Sequence, residues 1–187
     1  MKQHILPAIR LTIACLIFFC GIYTLIIYGV AQAAPAKGKG ETVIVNNKII
    51  GFKLIGQSFT QDKYFWSRPS AVGYNAAGSG GSNKGPSNPE YLQQVRERID
   101  TFLAHNPGVK KEDIPSDLVT ASGSGEDPDI SVQAANIQVK RIASVRKVDE
   151  HKIKTLIDAN IEKPLLGIFG TGKINVLKLN IALDELK

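Results

Sequence analysis

No charged side chain occurs from residue 11 to residue 34, a run of 24 positions rich in Ile, Leu, Phe and Ala. Elsewhere polar and apolar positions alternate at short intervals. A helix rises 1.5 Å per residue, so the run would be about 36 Å long. That is enough to cross a hydrocarbon core of about 30 Å with some tilt. The pattern predicts a short tail (1–10), one transmembrane helix (11–34), a linker (35–40) and a domain (41–187). A cleaved signal peptide is the rival reading. Ala31-Gln32-Ala33 has the small residues of a cleavage site, and Lys2 and Arg10 resemble a positive n-region. Signal h-regions are normally shorter, about 7–15 residues, so the length favours a retained anchor. Lys2 and Arg10 before the run nearly balance Lys37, Lys39 and Lys48 after it, so charge orients it little. The expected arrangement keeps the short N-terminus in the cytoplasm and exports the large domain. Gly21, Gly29 and Ala33 would let a partner helix approach closely.

Beyond the linker, Val43-Ile44-Val45 and residues 49–54 read as two short strands joined at Asn46-Asn47, a pair that tolerates the positive φ of a tight hairpin. Residues 64–89 are mostly Gly, Ser, Asn and Pro, which alone suggests a flexible tether. Tyr64, Phe65, Trp66 and Tyr74, with the prolines, point instead to an ordered loop packed on a body. A helix follows: Asn88 as cap, Pro89 at its first position, Glu90 in its first turn. Leu92, Val95, Ile99, Phe102 and Leu103 share one face, and Asn106-Pro107-Gly108 ends it. Residues 117–120 read as a short strand, 121–129 as a second small-residue loop, and 130–145 as a helix capped by Asp129. Residues 148–159 read as an amphipathic helix with Ile153, Leu156 and Ile157 inward. Alternating apolar positions over 173–183 read as a strand. The fold class expected is α/β in the mixed α+β sense: one globular helix-and-sheet domain behind one membrane helix.

Composition narrows the chemistry. Both cysteines, Cys15 and Cys20, lie inside the apolar run. The domain therefore has no disulfide frame, no zinc–thiolate site and no cysteine nucleophile. The chain carries 23 Lys and Arg against 17 Asp and Glu, net +6. The excess is spread out, unlike a nucleic-acid footprint. His4, His105 and His151 lack metal-ligand spacing and read as solvent-facing. Asp127-Pro128-Asp129 reads as an Asx turn rather than an acid–base pair. Residues 167–173 have the glycine and lysine spacing of a phosphate-binding loop. They lack the Ser/Thr after Lys173 that would hold magnesium, and they precede a strand rather than a helix. A glycine-rich turn is the stronger reading, and a nucleotide hydrolase using Lys173 the weaker. The loops 78–82 and 122–125 present amides, carbonyls and hydroxyls with little bulk, suited to an ion or to a flat contact with another protein.

The ordered motifs carry a family resemblance. Tyr64-Phe65-Trp66-Ser67-Arg68-Pro69-Ser70-Ala71, Tyr74-Asn75, Ser79-Gly80-Gly81-Ser82-Asn83 and Gly85-Pro86-Ser87-Asn88-Pro89 resemble the C-subunit family of Kdp potassium-transporting ATPases. So do the stretch 117–125, Asp127-Pro128-Asp129-Ile130-Ser131, and the ending over 165–184. Val132, Lys140 and the turn 170–173 depart from the usual pattern without removing a motif.

The resemblance implies a single-span, non-catalytic subunit of an ATP-driven potassium pump in the bacterial inner membrane. Its implied partners are a potassium-selective channel-like subunit, a P-type ATPase subunit and membrane lipid, with no nucleic acid. It implies a catalytic chaperone that raises the ATP affinity of the ATPase subunit in a transient ternary complex. No tightly bound cofactor is implied; ATP is met transiently, and potassium is the transported ion. Gln138, in Ile137-Gln138-Val139, matches a family residue tied to nucleotide. Candidate contacts with a partner or the ion path are Arg68, Tyr74, Asn75, Ser79, Gly80, Gly81, Ser82, Asn83, Ser122 and Ser124. The rival is a secreted solute- or glycan-binding domain released after Ala33.

Overall fold

A computed structural model describes residues 2–186. Met1 and Lys187, the outermost positions of the expected tail and domain, lie outside it. The chain divides into two units, one up to Glu41 and one from Thr42 onward.

The first unit is a helix of membrane-spanning length, Gln3–Ala33. Its α1 (Lys2–Leu16) and α2 (Thr24–Ala33) are joined by a π-helical segment, Ile17–Tyr23. The wider π turn loosens the backbone ladder. The Thr24 hydroxyl donates there to the Cys20 carbonyl at 2.6 Å and to the Gly21 carbonyl at 2.8 Å. The helix therefore starts well before residue 11 and takes in most of the expected tail. Ala31-Gln32-Ala33 lies within its last turn. Pro35–Gly38 follows as a 3₁₀ turn.

The second unit begins with hairpin β1 (Thr42–Val45) and β2 (Lys48–Phe52). Asn46 and Asn47 turn it at positive φ, as their short polar side chains permit. Helix α3 (Pro89–His105) starts on Asn88, whose side chain accepts from the Tyr91 amide, and stops at Asn106. Strand β3 (Asp129–Ser131) then pairs antiparallel with β4 (Lys173–Asn175). Helices α4 (Val132–Asn136) and α7 (Val176–Glu185) pack on that ladder, and α6 (Glu150–Ala159) packs in turn against α4, α7 and α5 (Val139–Arg146). Their apolar faces meet in one core containing Phe65, Phe102, Ile130, Ile142, Ile153, Ile157, Ile174, Leu179 and Leu183. The class is mixed α+β with small two-stranded sheets.

Four expectations need correction. Residues 117–120 are not a strand: Ser116–Leu118 forms a 3₁₀ turn, which the Thr120 hydroxyl closes on the Ser116 carbonyl at 2.7 Å. The helix expected from 130 begins only at Val132, because Ile130 is spent on β3 and Ser131 caps α4 through the Ala134 amide. Asp129 is accordingly a strand residue rather than a cap, although the Asx turn at Asp127 forms, with its Oδ1 accepting from the Asp129 amide. The strand expected over 173–183 ends at Asn175, which caps α7 by accepting from the Lys178 amide. The apolar positions switch parity between Val176 and Leu177. A strand cannot do that without turning its face over, whereas Val176, Leu179, Asn180 and Leu183 fall on one helical face.

Candidate functional site

Three consecutive aromatic residues open the long loop, and helix side chains hold each of them. Tyr64 donates to Asp184 at 3.0 Å, and the Arg146 guanidinium lies over its ring. At Phe65 both backbone groups are taken by Asn180 of α7. The Phe65 N–H donates to Asn180 Oδ1 at 2.8 Å, and Asn180 Nδ2 donates to the Phe65 carbonyl at 3.0 Å. The side-chain amide thus does what a neighbouring strand would do. The Trp66 N–H donates to Gln138 Oε1 at 2.8 Å. Its ring lies beneath the Arg141 guanidinium, 4.6 Å from the centroid, and meets His105 and Phe102 edge-on.

Arg141 is the hub of this clasp. Its side chain is 2 % exposed. It donates to Gln138 Oε1 at 2.6 Å, to Asn106 Oδ1 at 3.0 Å and to the Asp62 carbonyl at 2.9 Å. Burial pushes its pKa down to about 10, against the pull of the Asp62 carboxylate. Asp62 also binds His105 Nδ1 at 2.8 Å, so His105 is half-exposed but partnered. His4 and His151 are exposed.

Beyond the clasp, the loop at 67–82 meets the second small-residue loop. The Ser122 N–H donates to the Pro69 carbonyl at 3.0 Å. Ser124 O accepts from the Gly80 amide and from the Ser79 hydroxyl, both at 2.8 Å. Two glycines are required here by close approach. A Cβ on Gly81 would lie 2.9 Å from the Gly123 carbonyl oxygen. Gly125 sits at positive φ, and a Cβ there would lie 2.7 Å from the Gly80 carbonyl oxygen. Arg68 pairs with Asp127 at 2.8 Å, and the Tyr74 hydroxyl donates to the Arg68 carbonyl. Burial raises the Tyr74 phenol to about 12. Asn75 caps the 3₁₀ turn Ala76–Gly78. Ser82 is half-buried, and Asn83 is exposed at positive φ.

The structure therefore brings Arg68, Tyr74, Ser79, Gly80, Gly81, Ser122 and Ser124 into one loop pair. Gln138 sits apart, at the α4–α5 junction. It is 0 % exposed, and its Nε2 donates to the Ala134 carbonyl at 3.0 Å. Trp66, two residues before Arg68, links the two regions. Along the inner flank of the first loop runs a cleft of about 690 Å³, bordered by Trp66, Arg68, Tyr74, Arg98 and His105. Glu126 lies in the second loop with 9 % exposure. Among the described residues neither of its carboxylate oxygens, nor Arg68 Nε, meets a hydrogen-bond partner.

The sequence reading missed Asn180, Arg141 and Glu126. Asn180 left a signal, a lone amide in an apolar helical face. Arg141, half of a Lys140-Arg141 basic pair, and Glu126, in a stretch of Gly and Ser, left none. Lys173 is no phosphate-loop lysine. It follows an irregular turn, opens β4 and pairs with Asp129 at 2.5 Å, a contact that raises its pKa. Among the described residues no group of three or more His, Cys, Asp or Glu is placed to hold a metal.

These features define a class: a mixed α+β domain tethered to a membrane-length helix and presenting a stitched pair of glycine-rich loops. The particular family follows from comparison. Residues 5–185 match the KdpC family, described as the c chain of K⁺-transporting ATPase, and the chain belongs to that family. A protein of Flavobacterium psychrophilum is 58 % identical over 99 % of this chain and 100 % of its own length. Others from Flavobacterium johnsoniae and Bacteroides fragilis are 55 % and 52 % identical, again over 99 % of this chain and over 100 % and 98 % of theirs. Each is called the KdpC subunit of a potassium-transporting ATPase.

Proposed function

We propose that the chain is the non-catalytic, membrane-anchored accessory subunit of an ATP-driven potassium uptake pump. The carrying observation is the family match from residue 5 to residue 185, which takes in the apolar helix, both loops and the terminal helix together. In this reading the N-terminus is cytoplasmic and the domain external. The anchor packs beside the helices of partner subunits, and the loop pair faces the mouth of a potassium-selective, channel-like subunit. Glu126 supports that placement of the loops. A buried carboxylate without partners is costly, and a cation brought close by a second protein would offset the cost. Backbone carbonyls and hydroxyls of the two loops suit an alkali ion for the same reason that carbonyl-lined filters do.

The subunit also acts as a chaperone that raises the ATP affinity of the P-type ATPase subunit. Gln138 is wholly buried and bonded to Trp66 and Arg141. With the domain external, cytosolic ATP does not reach it, so in this reading the effect on ATP affinity is indirect, carried through the assembled pump.

The test uses cells lacking their own copy of this subunit. The wild-type chain should co-purify with the pump, restore uptake at scarce potassium and lower the KM for ATP. Failure to co-purify overturns the assignment as a subunit. Gly123→Arg adds a bulky charge where a Cβ meets nothing within 4 Å. It should leave the domain folded and reduce uptake; unchanged uptake overturns the placement of the loops.

A further inference from the structure

The hairpin β1–β2 has one face committed to the body of the domain and one face left exposed among the described residues. On the inner face, a Cβ on Gly51 would lie 3.1 Å from Leu177 Cδ2 and would collide with the Gln57 side chain, so the hairpin packs there with no room to spare. Gln57 Nε2 donates to the Ile50 carbonyl at 3.1 Å, and Asn175 Nδ2 to the Lys53 carbonyl at 2.8 Å. These bonds fix the hairpin to the second unit. A shift in register between Val43 and Ile44 leaves Ile50 as an extra residue and so turns Ile49 and Gly51 to opposite faces; on the outer face Ile44 lies opposite Ile49 and Thr42 opposite Phe52. Ile44 and Ile49 are 59 % and 65 % exposed, and Leu54, just beyond the strand, is 67 % exposed. An ordered strand pair showing this much aliphatic surface is an interaction site or a liability.

Two facts choose the occupant. The first is reach. Eight residues, 34–41, separate the apolar helix from Thr42. Fully extended they cover at most about 28 Å, so the hairpin is confined near the bilayer that holds the helix. The second is charge. Lys48 is exposed beside the hairpin tip, on the Val45 side of the ribbon, and Lys37 and Lys39 are exposed in the connecting segment, where they outnumber Glu41. All three complement anionic headgroups. Aliphatic residues accompanied by lysines are what an interfacial segment needs. The Asn46-Asn47 tip is polar and uncharged, so nothing in the turn opposes insertion at headgroup depth.

We propose that the outer face of β1–β2, through Ile44, Ile49, Phe52 and Leu54, seats in the anionic headgroup region of the bilayer spanned by the N-terminal helix. The inference rests on the helix being a retained anchor.

The experiment reconstitutes the full chain, carrying Ile49→Trp, in phosphatidylglycerol vesicles with lipids brominated on the acyl chain. Glu112→Trp, at an exposed 3₁₀ position, is the aqueous reference, and the native chain supplies the Trp66 baseline. Bromine should reduce the emission added by Ile49→Trp about twofold while leaving that added by Glu112→Trp unchanged. Aqueous iodide should do the reverse. Replacing phosphatidylglycerol by phosphatidylcholine should weaken the bromine effect. Emission from Ile49→Trp that iodide quenches and bromine does not would place the face in water and overturn the proposal. Emission protected from both would mean a protein covers it, and overturns it equally. Flotation with the vesicles separates the two levels. A chain that does not float sinks the anchor and the proposal together, while one that floats unquenched sinks only the docking.

Discussion

Residues 64–74 and 164–170 both leave regular secondary structure, and both combine bulky apolar residues with glycine. They end in opposite states. In the first, Tyr64, Phe65 and Trp66 pack against the core; Asp184 accepts from the Tyr64 hydroxyl, Asn180 and Gln138 take the Phe65 and Trp66 backbone groups, and Arg141 covers the Trp66 ring. In the second, Leu165 and Phe169 close a small turn on each other through reciprocal backbone bonds at 3.0 Å. Leu166 and Ile168 at its tip are 81 % and 75 % exposed. A loop becomes part of the core when helices supply side chains that replace the missing ladder bonds. Without them, the same kind of residues remain on the surface, where their apolar area does nothing for the stability of the isolated chain.

The comparison breaks most readily at Arg141. Arg141→Ala removes the donors to Gln138, Asn106 and the Asp62 carbonyl at once and leaves a cavity over the Trp66 ring. It should destabilise the full chain by about 3–5 kcal/mol in chemical unfolding. Trp66, the only tryptophan, is the reporter. A loss under about 1 kcal/mol would mean the clasp is not what holds the loop. Asn180→Ala comes next. It strands a buried N–H and a buried C=O on Phe65, and should cost about 2–3 kcal/mol.

Tyr74 sharpens the comparison through pH. Burial raises its pKa from 10.0 to about 12, so the folded chain keeps the phenolic proton after the unfolded chain has lost it. The stability due to this group is fully present below pH 10 and falls as pH rises from 10 towards 12. Arg141, lowered by burial to about 10, has the opposite sign: its penalty is present below pH 10 and is relieved above it. Ultraviolet titration should show a late tyrosine that Tyr74→Phe removes. The stability of Tyr74→Phe should then decline less between pH 10 and 12 than that of the wild type. A wild-type titration complete by about pH 11 contradicts the buried, hydrogen-bonded phenol. Lys173→Ala, which cuts a half-exposed ion pair to Asp129, should cost no more than about 1 kcal/mol, read from the unfolding midpoint.

Much of this was legible in the residues themselves. Asn88-Pro89 announced α3, Asn46-Asn47 the hairpin, and the long uncharged run an apolar helix of membrane-spanning length, because each is a local signal with a local cause. The aromatic content of 64–74 rightly indicated an ordered loop. The means of ordering it were hidden, because Asn180 lies 115 positions beyond Phe65 and Arg141 about 75 beyond Trp66. Residues 173–183 misled because the alternation on either side of Val176–Leu177 imitates a strand; the parity switch there was the legible sign of a helix, and the cap at Asn175 confirms it. The loop pair was legible as two glycine-rich segments. That they bond to each other through Ser122, Ser124 and Gly80 is a long-range fact that periodicity cannot carry.

The smallest effect belongs to the exposed turn, and it tests the comparison from the other side. Leu166 sits at positive φ. That conformation costs a branched side chain roughly 1 kcal/mol or more. It recovers little through burial, because it is almost wholly exposed. Leu166→Gly relieves that strain, but glycine adds freedom to the unfolded chain worth about 0.5–1 kcal/mol in the opposite direction. The two nearly cancel. The unfolding free energy of the full chain should therefore stay within about 0.5 kcal/mol of wild type, where the same change at a clasp residue such as Phe65 costs several. A clear destabilisation by Leu166→Gly would show that the turn is packed against something in the free chain. The contrast between a loop drawn into the core and a loop left outside it would then fail.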